Sequence, residues 1–471
     1  MLLENILINK EETPPLYRQI YLRFSKSISD GRLKPGDRVP SVRALASELN
    51  LARGTIETAY QLLINDGYLI GRGAAGTIVS PFIKPAPQNS ATPLSSLAQN
   101  SLVHSGEAPL PFQMGLPALD AFPRKLWNRI ASNELRHSFL DSSICPDARG
   151  HLSLRTAVAG YLGVSRGISC TPGQVFIVAG YRACLDLICR SLLQTGDSCW
   201  VEDPGYFASN NFFSEAGAKL IPVPVDGDGM VVEAGIELMP DARFAVVTPT
   251  HQSPLCVALS MPRRRALLDW ASDQESWIVE DDYDSEYRYN GRPLPALKSL
   301  DVQNRVLYCG TFSKVLLPGL RLAYLVVPEK LVPRFTEMID KMHSHCPHLW
   351  QVTTARFIEE GHFGRHLKKM RDLYSKRRQL LSDALLAKLA DRLSIDHQVG
   401  GMHLLARLDK GMDDCVISEN AQRAGLSVQP LSRSYISATA ESGLLLSFTN
   451  VIDREQAAEL AERLAQAFVS Q

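Results

Sequence analysis

The chain has 471 residues, 45% of them hydrophobic, which is enough for two or three domains with buried cores. Its 50 basic and 50 acidic residues give a formal net charge of zero, which excludes binding to polyanions through overall charge alone. Met1–Glu4 lacks a basic region followed by a long apolar run, so no signal peptide is expected. No run of about 18 apolar residues occurs, and the nine cysteines form no CxxC pair. We therefore expect a cytoplasmic protein with reduced thiols and no membrane span.

Residues 1–80 show the pattern of three helices followed by two short strands. Apolar residues recur at helical spacing from Leu16 to Ile28, Pro40-Ser41 opens a second helix, and Asn50-Leu51 forms the turn before a third. A glycine-rich segment, residues 71–76, then separates two apolar runs that are typical of strands. This order predicts an α+β winged helix-turn-helix domain.

The start of the third helix of such a domain enters the major groove of DNA. Taken singly, each arginine here is typical of a solvated surface, but basic and hydroxyl residues recur where the groove would lie. The predicted DNA-binding residues are Ser41, Arg43, Arg53, Gly54, Thr55, Thr58 and Arg72.

The rest of the chain divides into a linker and a large domain. Residues 81–110 are rich in Pro, Ser, Asn, Ala and Gln without periodicity, which predicts a flexible linker. Residues 111–471 alternate between strand and helix patterns, which predicts an α/β domain with a mainly parallel or mixed sheet.

A lysine follows one apolar strand of this domain. Gly310-Thr-Phe-Ser-Lys314 comes directly after Val306–Cys309, and Arg321 follows shortly after. A lysine amine can form a Schiff base with the aldehyde of pyridoxal 5'-phosphate (PLP), while Ser313 and Arg321 suit its phosphate group. Alone, such a lysine is more often simply solvated.

A second stretch changes that balance. Trp277–Tyr283 is an apolar strand that runs into acidic residues. Because side chains alternate along a strand, Asp281 and Tyr283 share a face and Asp282 points away. We assign Asp281 to the ring nitrogen of the cofactor, which needs a carboxylate partner, and Tyr283 to the ring oxygen.

A third strand, ending at Ala179, is followed by Gly180, Tyr181 and Arg182 at the start of a helix. A helix N-terminus offers free backbone N–H groups to a phosphate, and a glycine allows close approach. These three residues are the predicted second half of the phosphate site, although an ordinary strand-to-helix turn has the same pattern.

These motifs resemble a known family. Glu202-Asp-Pro-Gly-Tyr206, Thr248–Gln252, Glu280–Asp284 and Gly310–Lys314 are similar to fold-type I aminotransferases, and most closely to the aminotransferase-like domain of MocR-type regulators. Residues 36–56 are similar to the DNA-binding domain of GntR-type regulators. The resemblance implies a PLP-binding homodimer that recognises a double-stranded DNA operator. It also implies that Tyr206 stacks on the cofactor ring and that His251 or Gln252 hydrogen-bonds its oxygen.

Several positions depart from the family pattern. Ala52 replaces a serine before Arg53, Cys145-Pro-Asp147 replaces a tyrosine-containing motif, and Cys256 follows Pro254-Leu255 where a glycine is usual. The strand Gly443–Phe448 lacks the arginine that grips a substrate carboxylate in many aminotransferases, and no arginine stands at Asn210-Asn211, where some amino-acid-sensing relatives carry one. Arg433 is the nearest candidate replacement.

Two functions are compatible with these residues. The first is a transcription regulator whose PLP-bound domain senses PLP or a PLP-reactive amine, such as GABA or taurine, and alters operator binding or bending. The second is a working aminotransferase with an appended DNA-binding domain. The missing arginine and the N-terminal domain favour the first, with at most residual transaminase activity.

Overall fold

A computed structural model of the protein describes residues 14–82, 109–137, 147–289, 294–343, 345–396 and 398–468. Most of the predicted linker, residues 83–108, and the departure at Cys145 lie outside these ranges. The chain divides into two units, Met1–Glu107 and Ala108–Gln471. Within the described ranges, no helix is both long and apolar enough to cross a membrane.

The first unit contains three helices and a small antiparallel sheet in its described part. Its elements are α1 (Leu16–Ser29), β1 (Arg38–Val39), α2 (Val42–Glu48), α3 (Arg53–Asn65), β2 (Leu69–Gly71) and β3 (Thr77–Val79). The strand order is β1-β3-β2, so the predicted hairpin gains a third, two-residue strand. The rings of Phe24 and Tyr60 pack edge to face 5.6 Å apart and join α1 to α3. The predicted winged helix-turn-helix is confirmed.

Local chemistry explains where α2 and α3 begin. The Ser41 hydroxyl accepts a hydrogen bond of 3.2 Å from the backbone N–H of Ala44 and so caps α2. Asn50 has φ +50°, a left-handed conformation that asparagine tolerates well and that turns the chain into α3. Leu45 and Ile56 are fully buried, which fixes the apolar faces of both helices against the core.

The second unit is built on a mixed sheet of eight strands in the part that the structure describes. Its strands are β4 (Val175–Val178), β5 (Ser198–Asp203), β6 (Lys219–Asp226), β7 (Gly229–Met230), β8 (Phe244–Val247), β9 (Trp277–Asp282), β10 (Val306–Thr311) and β11 (Ala323–Val326). Their order is β4-β11-β10-β9-β8-β5-β6-β7. Strands β5, β6, β8, β9 and β10 are parallel, whereas β11 runs antiparallel to both of its neighbours.

Helices cover both faces of this sheet. They are α4 (Arg124–His137), α5 (Leu152–Arg166), α6 (Tyr181–Leu192), α7 (Phe207–Glu215), α8 (Val232–Leu238), α9 (Met261–Asp273), α10 (Leu297–Leu300), α11 (Val332–Met342) and α12 (His348–Glu359). Buried residues of α6 and α11 pack with one face of β9, whereas α9 packs with the other. The stacked rings of Trp200 and Trp270, 3.9 Å apart, belong to this second face. Burial on both faces explains why these strands are continuously apolar.

A long helix leads to a smaller antiparallel sheet. The elements are α13 (His362–Leu389), β12 (Leu393–Ile395), β13 (His403–Leu408), α14 (Asp414–Arg423), β14 (Gln429–Pro430), β15 (Gly443–Ser447) and α15 (Arg454–Ala467). The strand order is β12-β13-β15-β14, and every pairing is antiparallel. The predicted α/β class with a mixed sheet is confirmed.

Candidate cofactor and DNA-binding sites

The predicted cofactor residues lie at or just beyond the carboxyl ends of five strands, except Arg321, which precedes the antiparallel strand β11. β4, β5, β8, β9 and β10 run in the same direction, so their carboxyl ends lie at one edge of the sheet. Ligands of open α/β sheets bind at this edge. The sheet therefore brings together side chains that lie up to about 130 residues apart in sequence, from Gly180 to Lys314.

Lys314 lies just beyond β10 in a half-buried position. Its Nζ donates a hydrogen bond of 3.1 Å to the carbonyl of Gly115, a residue that precedes the whole sheet. Burial lowers the pKa of the Lys314 amine, although the carboxylates of Asp284 and Asp281 oppose that shift. A lowered pKa favours the neutral amine, which is the nucleophilic form.

Asp281 lies near the end of β9 and is 93% buried, since its exposed fraction is 7%. Burial raises the pKa of Asp281 to about 8, against the effect of the nearby Tyr181 phenol. Asp282 lies on the opposite face of β9, where its carboxylate pairs with Arg166 at 2.8 Å and accepts from the Tyr308 hydroxyl at 2.6 Å. Asp281 is thus a buried carboxylate at the sheet edge that a cationic ring nitrogen would hold ionised.

Gly180 and Arg321 form a cradle beside the N-terminus of α6. Gly180 has φ +97°, and a Cβ placed on it would lie 3.1 Å from Nη2 of Arg321. That guanidinium donates a hydrogen bond of 2.9 Å to the carbonyl of Ala179, and this bond keeps it next to Gly180. A helix N-terminus next to a guanidinium suits a phosphate dianion. Ser313, half-buried just before Lys314, stays the predicted hydroxyl partner.

Two predicted cofactor side chains are engaged elsewhere. The guanidinium of Arg182 is exposed and lies 5.8 Å from the Phe212 ring centre and 4.0 Å from Glu215. The predicted contact of Arg182 with the phosphate therefore rests on its backbone N–H. The side-chain amide of Gln252 donates to the carboxylate of Glu202 and to the carbonyl of Pro204. Its contact with the ring oxygen of the cofactor stays a prediction. For that contact, the amide would have to give up its hydrogen bonds to Glu202 and Pro204.

His251 instead contacts Tyr283 directly. Its Nδ1 lies 3.0 Å from the Tyr283 hydroxyl and 3.1 Å from both carboxylate oxygens of Asp284. Burial, with Asp284 as the next cause, holds the pKa of Tyr283 well above its usual value, so the phenol stays protonated and can donate. Tyr206, 42% exposed at the N-terminus of α7, stays the predicted stacking partner.

Sequence reasoning missed Gly115 and Asp284. Gly115 has φ +81°, which favours glycine, and a Cβ there would lie 2.4 Å from Nζ of Lys314, so a side chain at this position would displace the amine. A lone glycine 199 positions away gives no such signal. Asp284 stood inside the recognised motif but had no assigned role, and its exposed fraction is 1%.

The strand predicted to lack a carboxylate-binding arginine is apolar in the structure. Leu445 of β15 packs against Leu255, Leu405 and Leu431 in a cluster of buried leucines. Arg433, the candidate replacement, is 64% exposed on its side chain and pairs with Glu419 at 3.5 Å. Asn210 is buried within α7.

The predicted DNA-binding residues lie at the exposed starts of α2 and α3 and in the wing. Arg43, Arg53 and Arg72 are exposed, and a Cβ on Gly54 would meet nothing within 4 Å. Thr55 is half-buried, and the Thr58 hydroxyl donates to the carbonyl of Gly54 at 2.8 Å. The wing is the hairpin of β2 and β3, and β1 beside it holds a further candidate that the sequence did not indicate. The exposed guanidinium of Arg38 lies against Gly76, within 2.9 Å of where a Cβ would be.

The fold and these sites define a class of protein, in which a PLP-dependent aminotransferase-type domain is joined to a winged-helix DNA-binding domain. Family models agree, with aminotransferase class I and II matching residues 119–464 and bacterial regulatory proteins of the gntR family matching residues 16–79.

Individual relatives narrow the class. The probable rhizopine catabolism regulatory protein MocR of Rhizobium meliloti is 37% identical over 99% of this chain and 96% of its own. The pyridoxine biosynthesis transcriptional regulator PdxR of Corynebacterium glutamicum is 30% identical over 94% of both chains. The crystal structure of an archaeal alanine:glyoxylate aminotransferase superposes with a TM-score of 0.72 at 27% identity, covering 78% of this chain and 92% of that one. The chain belongs to the MocR-type transcriptional regulators, and its cofactor is PLP.

The residues present fit that cofactor. When bound, PLP supplies an aldehyde that reacts with primary amines and a pyridine ring that accepts electrons. Lys314 would provide the amine, Asp281 a buried carboxylate for the ring nitrogen, and Tyr283 a protonated phenol for the ring oxygen. Gly180 and Arg321 would hold the phosphate.

Asp281→Asn is expected to weaken PLP binding by about 1.5–3 kcal/mol, because the charge-assisted hydrogen bond to the ring nitrogen is lost. The absorption maximum of bound PLP should shift as well. Equilibrium titration followed by absorbance measures both, with Asp186→Asn, at a surface ion pair of α6, as the matched control. Native affinity with an unchanged spectrum would remove Asp281 from this role.

Proposed function

We propose that this regulator senses PLP itself, or a PLP-reactive amine without an α-carboxylate, such as GABA or taurine, and that the ligand alters operator binding or operator bending. We further propose that it acts in the cytoplasm as a homodimer, as its resemblance to MocR-type regulators implies. The single observation that carries the effector proposal is the buried leucine cluster at Leu445.

Transamination requires a substrate whose orientation is fixed relative to the cofactor. The Cα–H bond must stand perpendicular to the cofactor ring, and a fixed orientation supplies much of the rate. A bidentate arginine is the strongest carboxylate clamp. Leu445 cannot provide that clamp, and a free carboxylate buried beside its leucine cluster would lose its water. An amine that lacks an α-carboxylate avoids this cost.

Hydrogen bonds between the end of β5 and the segment before β15 connect the cofactor site to the smaller sheet, which supports a regulatory response. Asp203 ends β5, three residues before Tyr206. Its carboxylate accepts hydrogen bonds of 2.8 to 2.9 Å from the backbone N–H groups of Ile436, Ser437 and Ala438. A movement of the end of β5 would therefore also move the segment before β15. A ligand that binds one arrangement of these elements better shifts the population toward it.

The test compares ligand pairs that differ only in the carboxylate. Each amino acid of a panel is matched with the amine of the same side chain, and both are titrated into PLP-loaded protein while absorbance and product formation are followed. The amines are expected to change the spectrum at lower concentrations than their amino acids. Turnover of the amino acids should be slow throughout.

Operator affinity and bending are then measured for cofactor-free, PLP-loaded and amine-treated protein. The proposal expects at least one of the two quantities to change with ligand. Fast turnover of an ordinary amino acid, with DNA binding and bending indifferent to every ligand, would contradict it. A sedimentation measurement on the same samples tests the homodimer.

A further inference from the structure

Cys256 stands between two buried histidines that the cofactor site does not fully use. Its Sγ lies 3.2 Å from Nε2 of His403 in β13. The ring of His251 lies 5.9 Å from that of His403 and also beside the thiol. All three side chains are at least 93% buried, with exposed fractions of 7%, 3% and 7% for Cys256, His403 and His251.

His251 has one nitrogen without a partner. Its Nδ1 is committed to Asp284 and Tyr283, whereas Nε2 is buried and has no hydrogen-bond partner. The Asp284 carboxylate accepts from Nδ1 and thereby orients the ring. A buried imidazole nitrogen left unpaired is costly, so Nε2 of His251 is available to a polar group at the thiol.

Charge in the cluster favours a thiolate. Burial alone would raise the pKa of the Cys256 thiol, but His403 and His251 outweigh it and lower the pKa to about 6. Burial would lower the pKa of His403, and the Cys256 thiolate raises it instead. The half-buried Arg378 adds a further positive charge from α13, and Tyr283 faces the thiol as a neutral phenol.

We propose that Cys256 is a modification site for hydroperoxides, at which the thiolate is oxidised to a sulfenic acid. The sulfur attacks one peroxide oxygen, so an S–O bond forms while the O–O bond breaks. The sulfur loses two electrons to the peroxide, and the departing oxygen takes a proton from the His403 imidazolium to leave as water or an alcohol. His403 is thus the proton donor, and His251 a second polar partner for the new hydroxyl.

The inference goes beyond the amine-sensing function, since it concerns an oxidant and needs no cofactor. The chain also supplies internal comparisons, because Cys170 and Cys415 are more exposed than Cys256, and the Cys415 thiol contacts the Ser432 hydroxyl instead of a histidine. If exposure governed oxidation, those two thiols would react first. If thiolate character governs it, Cys256 reacts first despite its burial.

The experiment treats the full-length protein with hydrogen peroxide for graded times and stops the reaction with catalase. The protein is then unfolded and alkylated, so that the readout does not depend on access, and each cysteine is scored by peptide mass spectrometry with and without arsenite, which reduces sulfenic acids. Cys256 is expected to lose alkylation roughly tenfold faster than Cys170 or Cys415 at pH 7. Its rate should reach half of its plateau near pH 6.

Three variants identify the cause. His403→Asn removes the cationic partner and should slow Cys256 oxidation roughly tenfold at pH 7, whereas His362→Asn, on the protein surface, should leave it unchanged. Cys256→Gly restores a residue suited to φ +61° and should fold as the native chain does while losing the fast-reacting thiol.

Equal or faster oxidation of Cys170 or Cys415 would overturn the proposal. So would native oxidation kinetics in a His403→Asn protein with an unchanged circular dichroism spectrum. If that variant does not fold, the comparison among native cysteines and the pH profile of the native protein still decide.

Discussion

Lys314→Ala should abolish the covalent attachment of PLP. The amine of Lys314 lies at the sheet edge with the carbonyl of Gly115 as its hydrogen-bond partner, and alanine leaves no nucleophile there. The near-visible absorption band of the bound cofactor should disappear, and borohydride should no longer fix PLP to the chain. Residual, reversible PLP binding through Asp281 and the phosphate cradle is expected to persist.

Lys341→Ala is the matched control, because Lys341 lies on the surface of α11 and pairs with Glu337. It should bind PLP and react with borohydride as the native protein does. A peptide map after borohydride treatment measures the outcome directly, since only the Lys314 peptide should carry the cofactor. An unchanged band in the Lys314→Ala protein, or labelling on another lysine, would refute the assignment.

Much of the cofactor site follows from strand patterns alone. The runs Val306–Cys309 and Trp277–Val279 are apolar because both sheet faces are covered, and polar residues follow where the strands end. Parallel strands then bring those ends to one edge. Alternation along β9 places Asp281 and Asp282 on opposite faces, and this is a property of any strand.

The partners of individual side chains could not be predicted in the same way. The contact between Lys314 and Gly115 joins residues 199 positions apart. The Gln252 amide is held by Glu202, and the Arg182 guanidinium by its surroundings on α7. Such choices depend on tertiary packing that no local pattern records. The thiol of Cys256 is a similar case, since its sequence position showed only that a glycine was replaced.

The winged helix was predictable for another reason. Capping and turn residues mark its boundaries locally, as with Ser41 before α2 and Asn50 before α3. The two-residue strand β1 escaped prediction because its pairing with β3 is set by a partner about 40 residues away.

The double variant Arg43→Ala/Arg53→Ala should lose most operator affinity. Both guanidiniums are exposed, one at the start of α2 and one at the first residue of α3. If both contact base edges, the loss amounts to about 2–6 kcal/mol, the sum of two contacts worth about 1–3 kcal/mol each. Cofactor absorbance should stay native, because the variants lie in a separate unit from the PLP site.

The single variants separate two kinds of contact. If Arg53 contacts bases, Arg53→Ala should reduce discrimination between operator and mutated operator by about 1–3 kcal/mol. If it contacts phosphate, affinity should fall alike for every sequence, and the slope of log affinity against log salt should drop by about one unit. Lys26→Ala removes an exposed charge from α1 instead and should change neither quantity by a comparable amount. Full operator binding by the double variant would contradict the placement of α3 in the major groove.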